Sequence, residues 1–123
     1  MSRKELFKRI NALCKELDYK YEINYGGCCF VAYCIAEQLE IHNIPYRAIQ
    51  YGYGNHFAIK VSDRYLNRGD YRKSEINCYH ESSKDLLHHY HHHTWNEIYE
   101  PKYNGCVKKA IKAVFNKYGN NRT

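Results

Sequence analysis

The residues Cys28-Cys29-Phe30-Val31-Ala32-Tyr33-Cys34-Ile35-Ala36 form an almost unbroken apolar run directly after Gly26-Gly27. A helix that is apolar on every side belongs in the middle of a fold, because no face of it gains from water. Charge appears only from Glu37 onward, and Asn43-Ile44-Pro45 stops the pattern. The sequence therefore predicts a helix over about 28–42 with its N-terminal half buried. The rest of the chain has to wrap around it. With 123 residues there is room for one domain, spanning 1–123. A domain of that length buries roughly two-thirds of its unfolded surface.

The flanking segments supply the wrapping. Ser2-Arg3-Lys4-Glu5 reads as a capping box. Leu6, Phe7, Ile10, Leu13 and Leu17 then follow helical spacing to about Asp18. Three short β runs follow the apolar helix: Tyr46 to Tyr53, His56 to Val61 and Tyr65 to Asn67, with Ser62-Asp63-Arg64 as a tight turn. Residues 75–79 read as a further strand. Ser82 or Ser83 is placed to cap a helix running to Tyr99, which Pro101 ends. A last amphipathic helix, about 104–118, turns Val107, Ile111, Val114 and Phe115 inward. Helices and hairpins in this order make an α+β fold, a buried central helix on a small antiparallel sheet, and not a βαβ repeat.

Composition excludes several classes. No run of apolar residues is long enough for a membrane-spanning helix, and Met1-Ser2-Arg3-Lys4-Glu5 opens an amphipathic pattern instead of a secretory signal. Six Cys without such a signal are expected to be reduced thiols, in a cytoplasmic protein. The net charge of +6 comes from scattered Lys and Arg, densest at the two ends, without a nucleic-acid fold signature. Oligomeric state has no sequence signal. The Lys, Asn, Tyr and Ile usage points to a small, AT-rich genome, which a phage acting in its host cytoplasm would fit.

Reactive chemistry concentrates at Gly26-Gly27-Cys28-Cys29. A thiolate is the reactive form of Cys, and the dipole and open N–H groups of a helix N-terminus favour it. Cys28 falls where the loop becomes the helix, and an N–H there can form half of an oxyanion hole. His56 opens a strand after Gly52-Tyr53-Gly54-Asn55. A catalytic His needs one ring nitrogen toward the thiol and the other held by an acceptor. Asn67 on the next strand and Asp70 just after it are the acceptors at hand, and Asp63 ranks last because a turn is its natural place.

These segments resemble the transglutaminase-like branch of the papain-like cysteine hydrolases. The resemblance is carried by Gly27-Cys28-Cys29-Phe30-Val31-Ala32, Asn43-Ile44-Pro45-Tyr46-Arg47, Tyr51-Gly52-Tyr53, His56-Phe57-Ala58-Ile59-Lys60-Val61 and Tyr65-Leu66-Asn67, and it covers about residues 24–71. It implies Cys28 as nucleophile, because Ala32 lies four residues after it, and His56 as base. It implies Asn67 as third member where this branch usually has Asp, with Asp70 the alternative. Asn24 could add an oxyanion donor, and Tyr25 and Tyr53 would flank the cleft. The implied activity is hydrolysis or transfer at an amide, peptide or isopeptide bond of a protein or peptide substrate, by an imidazolium–thiolate pair. Two other readings stay open: a non-catalytic binding or inhibitor protein in which Cys28 is structural, and a basic nucleic-acid-binding protein.

Five of the 8 His lie within His88-His89-Tyr90-His91-His92-His93. On a helix, His88 and His92 are spaced to share a metal. Glu81, Asp85 and Glu97 are not placed to complete a tetrahedral site. No cofactor or metal is expected, and His88 and His92 are the only metal candidates.

Overall fold

A computed structural model describes residues 1–51, 56–69, 75–92 and 101–120, with side chains except at 75–79 and 101. The chain is α+β. The elements are α1 (Arg3–Tyr21), α2 (Cys28–Ile41), β1 (Arg47–Tyr51), β2 (His56–Val61), β3 (Arg64–Leu66), β4 (Glu75–His80), α3 (Ser83–His91) and α4 (Asn104–Asn120), the last preceded by a 3₁₀ turn at Pro101–Tyr103. Among the described residues no helix is long and apolar enough to cross a membrane.

Helix α2 occupies the centre. Every residue from Cys28 to Ala36 is buried, and α3, α4 and β2 all pack on this helix. Burying side chains of this size contributes about 1.5–3 kcal/mol each before chain entropy is counted. The sheet has the order β3-β2-β1-β4, antiparallel throughout. Alternation along the strands separates its faces. Ala48, Phe57, Ile59, Val61 and Leu66 join the main core with α2, whereas Ile49, Tyr51 and Ala58 form a small cluster on the other side.

Helix ends follow local chemistry. The Ser2 hydroxyl accepts the Glu5 N–H at 3.1 Å. The Glu5 side chain pairs with Arg9 instead of completing the capping box. Helix α1 runs to Tyr21, a turn beyond the expected Asp18, because Glu22 takes a left-handed conformation (φ 55°) and returns its N–H to Asp18 O at 2.8 Å. No glycine marks that stop. Ser82, not Ser83, caps α3 through the Asp85 N–H. The Ser83 N–H donates to Glu40 at 2.9 Å, and the Ser83 and Tyr46 hydroxyls also donate to this carboxylate. Glu40 thus ties α2, the start of the sheet and α3 together. Residues 93–99 of the helix expected to reach Tyr99 lie outside the described residues.

Candidate active site

The loop between α1 and α2 sets the position of Cys28. Asp18 Oδ1 accepts the Asn24 N–H at 2.9 Å. Gly26 then adopts φ 93°, a region that a side chain disfavours. Gly27 is the N-cap of α2 and offers no side-chain cap, so the first N–H groups of the helix are open to other acceptors. The Cys28 sulfur takes up that role, with the backbone N–H groups of Cys28, Cys29 and Phe57 directed at it. The Phe57 contact brings the thiol against the strand that His56 opens.

Cys28 is 3% exposed. Burial pushes its thiol up to about 11, and the three backbone N–H groups only partly counter this. The helix N-terminus alone had implied a thiolate. Here desolvation is the larger effect, and the resting thiol is protonated. Cys29 is further from reactive: its thiol donates to Leu86 O at 3.4 Å, and burial raises it strongly.

His56 is fully buried. Its Nε2 lies 2.7 Å from the main-chain carbonyl of Asn67. A carbonyl can only accept, so Nε2 carries the proton and Nδ1 is the basic nitrogen of the neutral ring. Burial lowers the proton affinity of His56, against opposing effects of the Asn67 carbonyl and the Asp18 carboxylate. Burial thus favours the neutral form of each, where the resemblance implied an imidazolium–thiolate pair.

Asn67 does hold His56, but through its backbone. Its φ of 60° is a left-handed conformation that Asn tolerates better than most residues. Its side chain turns away and pairs reciprocally with Asn24, Nδ2 to Oδ1 at 2.9 Å and the reverse at 3.1 Å. Its N–H donates to Asn11 Oδ1 at 2.9 Å. The Asn24 side chain is thereby turned toward Asn67, with one N–H of its amide engaged there. Asp70 and Tyr53 lie outside the described residues. Tyr25 is 68% exposed and lines a cavity of about 380 Å³ with Asp18, Glu22 and Asn24.

Two residues of α1 went unrecognised in the sequence. Asn11 and Asp18, with Cys14 between them, line a cavity of about 660 Å³ shared with Asn24 and Asn67. Their spacing of three and then four residues marks one helix face, which was the available signal. His88 and His92 are exposed with ring centroids 4.3 Å apart. Among the described residues no group of three His, Cys, Asp or Glu side chains is arranged to hold a metal ion. Cys14, Cys28, Cys29 and Cys34 are buried thiols and Cys106 an exposed one. Comparison with protein-family models, with curated proteins and with solved structures gave no match.

Proposed function

We propose that this chain is a cysteine acyl-transfer enzyme of the papain-like, transglutaminase-like kind, acting on an amide or isopeptide bond of a protein or peptide. The observation that carries the reading is the meeting of the α2 N-terminus with the start of β2. The Cys28 sulfur sits on the Phe57 N–H, one residue from a His56 whose tautomer is fixed by the Asn67 carbonyl. The order α2, β1, β2 and β3 supports the same reading. The buried thiols fit a reducing compartment such as a cytoplasm.

The neutral resting pair makes His56 a general base. Nδ1 takes the Cys28 proton as sulfur bonds to the carbonyl carbon. Backbone N–H groups at the start of α2 stabilise the tetrahedral oxyanion. The C–N bond then breaks, and His56 returns the proton to the leaving amine, giving a thioester on Cys28. Water or an amine attacks the thioester, His56 takes its proton, and the thiol is restored.

A second reading has its own support. A thiol that is 3% exposed and pushed up to about 11 also suits a structural Cys28 in a non-catalytic binding protein. One experiment separates the two. The protein is incubated with a mixture of peptides and Lys isopeptides, quenched in acid and weighed intact. A hydroxylamine-labile adduct on Cys28, lost in Cys28→Ala and His56→Ala, is the expected result. If every adduct is hydroxylamine-stable or sits on Cys106, the enzyme reading fails.

A further inference from the structure

The base at this site is oriented by an uncharged main-chain carbonyl, yet the imidazolium formed during attack gains from a negative charge nearby. Around His56 the described groups are Tyr51 from β1 with its ring centroid 6.1 Å away, the Asn67 carbonyl at the end of β3, and Asp18 from α1. Of these only Asp18 is a carboxylate. It is linked to the ring by hydrogen bonds that meet at Asn24 and Asn67, each residue using both its backbone and its side chain. Asp18 Oδ1 accepts the Asn24 N–H, the Asn24 and Asn67 amides pair twice, and the Asn67 carbonyl accepts from His56 Nε2. Asn11 closes the chain back onto α1 by accepting the Asn67 N–H and donating to Tyr65 O at 2.9 Å.

We infer that Asp18 is the charged positioning residue of the site, acting through Asn24 and Asn67 to orient His56 and to favour its protonated form as the proton moves. This rests on the reading of His56 as base and Cys28 as nucleophile. Helix α1 thereby becomes part of the machinery and not only a cover for the core. The electrostatics agree with the geometry at His56, whose proton affinity the same carboxylate raises. Asp18 also lines the cavity shared with Asn24 and Asn67.

The test is an NMR titration of the His56 ring in the wild-type protein, Asp18→Asn and Asp18→Ser. Both variants remove the charge and keep an oxygen that can accept the Asn24 N–H, so a fold lost in one is checked in the other. The His56 midpoint is expected to move to lower pH, with proton affinity falling about twofold to fivefold. Asp18→Glu, which restores the charge, is expected to return the midpoint toward wild type. A purely structural Asp18 would leave the midpoint in place in a folded variant, and that result overturns the inference. The titration reads without any turnover. Absence of a thioester in the wild-type protein would therefore remove the enzyme reading alone, while an unmoved midpoint would remove Asp18 alone.

Discussion

Two buried histidines in this molecule have opposite surroundings. His80, at the end of β4, is 8% exposed. Its Nδ1 meets Asp85 Oδ2 at 3.2 Å and its Nε2 meets Gln50 Oε1 at 2.9 Å. By residue type it looks more like a catalytic dyad than His56 does, because a carboxylate touches the ring directly. Yet both of its nitrogens face side-chain oxygens from its own sheet and from α3. That ties β4, β1 and α3 together. His56 instead has one nitrogen on a main-chain carbonyl and lies beside the strand residue whose N–H reaches Cys28. On the proposed reading, the atoms that the two nitrogens face distinguish the base, and a neighbouring carboxylate does not.

The sharpest way to break this contrast is to remove each ring. His56→Ala is expected to slow formation of the Cys28 adduct by about 100-fold or more, the usual contribution of a general base. His80→Ala should leave the rate within about twofold in folded protein. Intact-mass time courses read both. Equal losses from the two would mean that His56 has no special place.

Stability should run the other way for His80. His80→Ala leaves Gln50 and Asp85 without their imidazole and is expected to cost about 1–3 kcal/mol in urea unfolding. Unchanged unfolding would show that the His80 contacts tie nothing.

The pH dependence sharpens the comparison from the thiol side. A folded-state value for Cys28 of about 11 against an ordinary 9.0 means that the unfolded chain loses this proton first. Stability from this group is complete below pH 9 and is lost as pH rises toward 11, roughly 2–3 kcal/mol in all. His56 is shifted down, so the unfolded chain binds its proton more readily. Stability is then lost as pH falls below the ordinary His range. Denaturant midpoints across pH should fall on both sides, and Cys28→Ala should flatten the alkaline fall. A wild-type-like alkaline fall in Cys28→Ala would assign that limb to Cys14, Cys29 and Cys34, which are also raised.

The smallest effect belongs to the side chain at position 67. Asn67→Gly keeps the carbonyl and suits a φ of 60°, so adduct formation is expected within about threefold of wild type. Asn67→Val strains the same backbone by about 1–3 kcal/mol. A loss in Asn67→Gly well beyond that expected would show that the amide pair with Asn24 contributes more to orienting the ring than the Asn67 carbonyl does.

Much of this fold was legible. The apolar run from Cys28 to Ala36 placed the central helix, and alternation in His-Phe-Ala-Ile-Lys-Val placed β2, because both patterns record burial directly. The stop of α1 was not legible, because Glu22 supplies by tertiary context the left-handed turn that glycine usually signals. The sequence singled out Cys28, His56 and Asn67, but not the contacts they make. A letter names a side chain, whereas the Asn67 carbonyl and the buried, protonated state of Cys28 depend on backbone angle and packing. Asp18 was missed because a polar residue in the last turns of a surface helix reads as solvated, and its partner Asn24 lies across the helix end.

The clamp on His56 also bears on how such a site is inherited. Its specification is a torsion angle at position 67, and no particular side chain is required to make the bond. The residues permitted there are those that tolerate left-handed backbone, glycine and asparagine foremost. Descendants of this chain could exchange one for the other and keep the carbonyl on the ring, although glycine would drop the amide pair that reaches Asn24 and Asp18.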